Sequence, residues 1–304
     1  MTDTTVLKSS LQPEEKDSTI RVALLVEYCG LFFHGSQFQP DKATVQRAIQ
    51  EGLKQLNLET SAVSFAGRTD AGVNAQGQVA HFDVEQTSLA NIADLGKALN
   101  AVLPDSVSIR GVHLDTGRQF NSRREAEAKW YRYVIYNAPM RSVWANRGAS
   151  IHVPKALGAE RMAEAARLIL GSHDFKSFKD TDTHVTDDIC NIFHAKVARD
   201  GDFIIFDVAA DRFLYKMVRN LIGQLMAIGN VDNPLPPETI LQVLAERNRS
   251  KAAATARPEG LTLMAVQYKS PFNFFEKDVY VQQFKNILKP MESLQNENLF
   301  RKAS

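Results

Sequence analysis

From Val22 to Tyr28 the chain is apolar apart from Glu27, the pattern of a strand buried on both faces. Val45, Ile49, Leu53 and Leu56 then recur at helical spacing, with Thr44 placed to cap the first turn. Residues 62–66 read as a second strand. Gly67, Gly72 and Gly77 punctuate a loop, after which 78–84 alternates as a half-buried strand. A helix is expected from a Ser88 cap to about Val102, stopped by Pro104, and a strand over 106–114.

The second part of the chain repeats this grammar. Residues 129–136 alternate, with Trp130, Arg132, Val134 and Tyr136 on one face and Tyr131, Tyr133 and Ile135 on the other. A helix over 159–170 ends at Gly171, and strands over 189–198 and 203–209 flank the hairpin signal Asp200-Gly201. Helices over 213–228 and 237–246 and a strand over 261–268 follow. The order strand, helix, strand, strand, helix, strand, run roughly twice, implies an α+β fold with two related halves. The expected organisation is a disordered tail at 1–19, an N-terminal half at 20–125, a C-terminal half at 126–270 and an extension at 271–304 with a helix over 279–288.

Composition narrows the class. The 304 residues carry 36 bases and 35 acids, so any nucleic-acid surface must be a local patch. Such a patch is expected at 110–147, where Arg110, Arg118, Arg123, Arg124, Lys129, Arg132, Arg141 and Arg147 outnumber three acids and aromatics interleave. The cysteines, Cys29 and Cys190, exclude a disulfide framework or a Cys-rich zinc site. No histidine pair has zinc spacing, no Gly-rich phosphate loop occurs, and no secretory or membrane-spanning segment is present, so a cytosolic protein is expected.

The loop Gly67-Arg68-Thr69-Asp70-Ala71-Gly72-Val73-Asn74-Ala75-Gln76-Gly77-Gln78-Val79-Ala80-His81-Phe82 carries the chemistry. Its small residues let a bulky ligand approach the backbone, and Asp70 stands at its centre. Read locally, Asp70 beside Arg68 favours a plain salt bridge in a turn over catalysis.

The string resembles the signature loop of the tRNA pseudouridine synthase A family. Six further stretches resemble that family in order: Leu99-Asn100 with Leu103-Pro104, Phe120 to Arg123, Lys129 to Tyr133, His173 to Phe178, Phe213-Leu214 with Met217 to Asn220, and Gly260-Leu261 with Leu263. The resemblance implies the pseudouridine synthase α+β fold, two halves with central antiparallel sheets flanking an active-site cleft. It implies isomerisation of uridines at positions 38–40 of the tRNA anticodon arm, no metal or organic cofactor, and a homodimer with tRNA as partner. It assigns Asp70 as the catalytic carboxylate, Arg219 as its pairing arginine, Tyr131 as the tyrosine against the target base, Arg68 as an arginine near the flipped nucleotide, Leu263 as a wall of the pocket and Arg123 as a substrate-binding residue. Breaking a glycosidic bond with a carboxylate nucleophile requires the ionised form, which a nearby cation favours. A flipped pyrimidine wants aromatic and apolar walls. Attack of Asp70 on the ribose carbon, attack on the uracil ring and removal of a ribose proton all stay open.

Three positions depart from the family pattern: Ser36 where an aromatic is usual, Asn74 for a histidine, and Cys190 for an arginine. They leave room for an enzyme retargeted to another RNA site, and a tRNA-binding protein without turnover is the reading of a different class.

Overall fold

The structure, a computed structural model, describes residues 19–145, 148–180 and 187–289. Residues 1–18 of the expected tail at 1–19, Arg147 and the end of the extension (290–304) lie outside the described residues, and Thr19 belongs to the first strand rather than to a tail.

A single sheet organises the chain. Its strands are β1 (Thr19–Tyr28), β2 (Ser64–Phe65), β3 (Asn74–Glu85), β4 (Val107–Asp115), β5 (Ala126–Tyr136), β6 (Ile151–His152), β7 (Gly171–Asp174), β8 (Ile189–Asp200), β9 (Phe203–Ala210) and β10 (Leu261–Tyr268). The spatial order is β4-β1-β3-β10-β5-β9-β8-β7, with β2 on β3 and β6 on β5. Neighbours are antiparallel except β5/β6 and β3/β10. The β3/β10 seam is short, Thr262 beside Asn74 and Leu263 beside Ala75, and it joins the strands of 20–125 to those of 126–270. The last strand thus lies mid-sheet, next to the loop that precedes β3. The architecture is α+β as expected, with its two groups of strands fused into one sheet.

The helices are α1 (Val45–Gln55), α2 (Leu95–Val102), α3 (Ala159–Arg167), α4 (Met217–Gly229), α5 (Thr239–Glu246) and α6 over 279–289. Thr44 caps α1, accepting from the Arg47 amide at 3.2 Å. Several boundaries differ from expectation. Asp94, not Ser88, caps α2 by accepting from the Lys97 amide, and Ser88 lies in a short 3-10 turn. The expected strand over 62–66 shrinks to two residues because only Ser64 and Phe65 meet β3. The strand expected from 78 starts at Asn74, inside the glycine-punctuated stretch, because β10 pairs with it there. Helix α3 stops at Arg167, and Gly171 opens β7 with φ +90°. Helix α4 starts at Met217 rather than 213, because Lys216 adopts the left-handed conformation (φ +59°) and breaks the turn before it.

The core runs along both faces of the sheet centre. Val22, Ala23, Leu24 and Val26 are fully buried in β1, which explains its unbroken apolar run. Helix α6 covers the back of β5, with Phe284 against Trp130 at 6.0 Å between ring centroids. The chain leading into it is fastened by Phe274 stacked on His113 and by Asp278 bonded to Arg110 at 2.7 Å.

Candidate active site

Asp70 sits on a loop whose backbone is bonded from several sides. The Ser36 hydroxyl accepts the Thr69 amide at 2.9 Å, and the Ser36 amide donates to the Thr69 carbonyl at 3.1 Å. The Thr69 and Tyr28 hydroxyls share a 2.8 Å hydrogen bond, and Gln78 Nε2 donates to the Gly67 carbonyl at 3.0 Å. Buried Asn74 accepts from the Gly30 amide and donates to the Gly148 and Glu259 carbonyls. Gly35 is required here: its φ is +98°, and a side-chain carbon would meet the Thr69 carbonyl oxygen at 2.8 Å. Two of the family departures, Ser36 and Asn74, are therefore struts of this loop.

Arg219 reaches Asp70 from the first turn of α4. Its Nη1 donates to Asp70 Oδ2 at 2.6 Å, and its Nε donates to the Ala256 carbonyl at 2.9 Å. Both side chains are mostly buried, at 14% and 15% exposure, so the pair is shielded but open to solvent at one edge. The helix is latched to the segment before β10. Asn220 Oδ1 accepts from Arg249 and Thr255, its Nδ2 donates to the Phe178 carbonyl, and Gln224 accepts from the Ala253 amide. At Gly223 a side-chain carbon would sit 2.0 Å from the Ala254 carbonyl oxygen, so the close approach that fixes Arg219 needs glycine there.

Tyr131 faces the same site from β5, paired across the ladder with Leu263 of β10. Phe213 meets the Tyr131 ring edge-on at 5.2 Å. Burial pushes the Tyr131 phenol far up, and Tyr28 and the Asp70 carboxylate push in the same direction, so it stays neutral. Tyr28 beneath the loop is likewise pushed up to about 12, chiefly by burial. A carboxylate held by a guanidinium, with a neutral aromatic ring beside it, can attack an electrophilic carbon while the ring supports a planar base.

A family model described as tRNA pseudouridine synthase matches residues 165–269. The tRNA pseudouridine synthase A of Pseudoalteromonas atlantica is 40% identical over 253 residues, 83% of this chain and 94% of that protein. Those of Enterobacter sp. and Escherichia fergusonii are 38% and 37% identical, covering 83% and 86% of this chain and 92% and 95% of theirs. The chain belongs to the tRNA pseudouridine synthase A family.

Within this family member the structure brings together Asp70, Arg219, Tyr131 and Leu263 and leaves two expected residues at the edge. Leu263 is 1% exposed and belongs to the core as much as to a wall. Arg68 and Arg123 are exposed, and neither side chain makes a hydrogen bond or ion pair among the described residues. The local alternative, an Asp70–Arg68 bridge, is not formed; the carboxylate takes Arg219 instead. Cys190 is fully buried in β8 beside His173 of β7, its thiol pushed up to about 11 by burial. The cation next to it is Arg212, which donates to the Ile189 carbonyl at 2.9 Å.

Four of the bases in the stretch at 110–147 are ion-paired within the fold. Arg110 pairs with Asp278, Arg118 with Asp83, Arg124 with Glu125 and Arg132 with Asp207. A linear count of charges misses partners that the fold brings from elsewhere. Sequence reasoning also missed Lys216, which is ion-paired with Asp180 and close enough to Asp70 for that carboxylate to help raise its pKa. Its left-handed backbone leaves no mark in the residue type.

Proposed function

We propose that the protein isomerises uridine to pseudouridine in tRNA, at positions 38–40 of the anticodon arm, with Asp70 as the nucleophile. The observation that carries this reading is the 2.6 Å Arg219–Asp70 pair, built from segments 149 residues apart and set against Tyr131. The named relatives, tRNA pseudouridine synthases A, supply the substrate class. In the proposed reaction the Asp70 carboxylate adds to the nucleoside and the bond between the ribose and N1 breaks. The uracil then turns between Tyr131 and Leu263, a bond from the ribose to C5 forms, the C5 proton leaves, N1 takes up a proton and Asp70 is released. Uridine and pseudouridine are isomers, so the balance needs no co-reactant. Arg219 keeps the carboxylate aimed, and Arg68 and Arg123 meet the RNA at the rim. The enzyme acts in the cytoplasm as a homodimer; exposed Leu31, Phe32, Met140, Val143 and Trp144 support a second protein surface.

The test is a map of pseudouridine in cellular RNA with the gene present and deleted. Loss at positions 38–40 of tRNA is the expected result. Loss only elsewhere would mean a retargeted enzyme, and no loss would mean an RNA-binding protein without turnover.

A further inference from the structure

Lys129 has no role in the reading above, yet its place is unusual. On β5 it lies two residues before Tyr131, so its side chain leaves the same face of the strand about 7 Å further along. It reaches the signature loop: a side-chain carbon at Gly67 would lie 3.6 Å from Lys129 Cε and 3.7 Å from its Nζ. The side chain is half-buried, and among the described residues its ammonium makes no hydrogen bond or ion pair. The nearby acid on its own strand, Glu127, is taken by Lys269 at 3.3 Å.

The charges around it oppose one another. Arg123, from the loop before β5, repels it; Asp211, at the end of β9, is the one acid that favours its charge. Opposite it on the ladders stand Ala210 and Val266, which carry no charge, and the loop offers only the Gly67 backbone. Burial, reinforced by Arg123, pushes the ammonium down to about 8. A sheltered lysine without a counter-ion is costly in the free protein. An anion arriving between Lys129, Arg68 and Arg123 would supply what the fold withholds.

We propose that Lys129 is a phosphate-binding residue of this site, its ammonium taking an oxygen of the RNA backbone beside the uridine that faces Asp70 and Tyr131. The proposal rests on the RNA-modifying reading. It adds a fixed anchor between the two exposed arginines and the base pocket, so that backbone and base are gripped from adjacent positions of one rigid strand. Because the phosphate needs the ammonium form, binding takes up a proton wherever the free lysine is partly neutral.

The experiment is equilibrium binding of an unmodified tRNA transcript to the full-length protein, at several salt concentrations and from pH 7 to 9. Lys129→Met should weaken binding at pH 7 at least tenfold and lower the salt slope by about one. It should also melt no lower than the wild type, since it removes an unpaired charge. A lysine with a structural role would lower the melting temperature instead. The wild type should lose about tenfold in affinity between pH 7 and 9 as the free lysine deprotonates. Lys129→Arg should keep the pH 7 affinity within about threefold and lose that pH dependence. Lys129→Met binding like wild type with an unchanged salt slope, or Lys129→Arg retaining the full pH dependence, would overturn the proposal. The wild-type and Lys129→Arg arms decide it even if Lys129→Met fails to fold. Lys129-dependent binding by a protein that makes no pseudouridine would sink the functional reading and keep the phosphate site. Pseudouridine formation without any Lys129 effect on binding would sink the phosphate site alone.

Discussion

The two faces of β5 are made of similar residues and are not treated alike. On the back, Trp130 Nε1 donates to Asp207 at 2.8 Å, and Arg132 grips both oxygens of the same carboxylate at 2.9 and 3.0 Å. The Arg132 guanidinium also lies over the Trp130 ring, and α6 closes over the aromatic with Phe284. On the front, Tyr131 is buried and Lys129 half-buried, but neither the ammonium nor the phenol has a hydrogen-bond partner among the described residues. What sets Lys129 and Tyr131 apart is satisfaction, for Tyr133 further along the same front face is answered by the Arg257 carbonyl at 2.7 Å. Polar groups that serve only the fold are answered inside it. Groups left unanswered at a partly open site are those a ligand can answer.

Two arginine–carboxylate pairs, both formed, also flank the strand: Arg132–Asp207 behind it and Arg219–Asp70 before it. Breaking the front pair should show the largest effect. Arg219→Met removes the group that aims Asp70, and turnover on tRNA should fall by about 10²–10³-fold, as for loss of one preorganised charge-assisted contact. Stability should fall as well, by up to about 3 kcal/mol, because Asp70 loses its shielded partner and the Ala256 carbonyl its donor. Single-turnover rates and thermal melts on one preparation separate the two. The back pair should differ in turnover. Asp207→Ala orphans Arg132 and the Trp130 ring nitrogen together and should cost about 3 kcal/mol of stability. Turnover per folded molecule should stay within a few-fold; a large loss there would dissolve the distinction between the faces.

A smaller effect should follow pH at another satisfied group. The Nδ1 of His81 on β3 bonds the Ser122 hydroxyl at 2.8 Å and accepts from the Ser122 amide at 3.2 Å, which requires the neutral ring. Burial, with Arg21 adding repulsion, pushes its pKa from 6.5 down to about 4. The unfolded chain therefore binds this proton first, and stability falls as pH drops below 6.5. Between pH 7 and 5 the loss should be about 2 kcal/mol, and His81→Gln should flatten that part of a denaturant-midpoint profile. The smallest effect should come from one phenol oxygen at a time. Tyr133→Phe loses the bond to the Arg257 carbonyl and should cost about 1 kcal/mol, whereas Tyr131→Phe should leave the melt within about 0.5 kcal/mol.

The sequence made the strands legible where one apolar pattern ran undisturbed, as in β1 and in β8 and β9 around Gly201. It failed where a distant element decides. The start of β3 at Asn74 depends on β10, nearly two hundred residues on, and the start of α4 depends on the left-handed Lys216. The Asp94 cap was visible as a residue type but indistinguishable in sequence from Ser88. Asp70, Arg219 and Tyr131 were legible through their motifs, because signature residues travel with the chemistry. Lys129 stood in one of those motifs, yet the absence of a partner is a property of three dimensions. The pairing inside the basic stretch was hidden for the same reason, since three of its counter-ions are Asp83, Asp207 and Asp278.

The central claim is that Asp70 is the reacting group. Its most direct test is single-turnover pseudouridine formation by purified Asp70→Asn on an unmodified tRNA, with binding and melting measured on the same sample. The amide keeps the shape and one acceptor oxygen for Arg219, so binding should stay within a few-fold and the fold should persist. Pseudouridine formation should fall below detection, because a neutral amide cannot act as the nucleophile. Turnover near the wild-type rate would contradict the account.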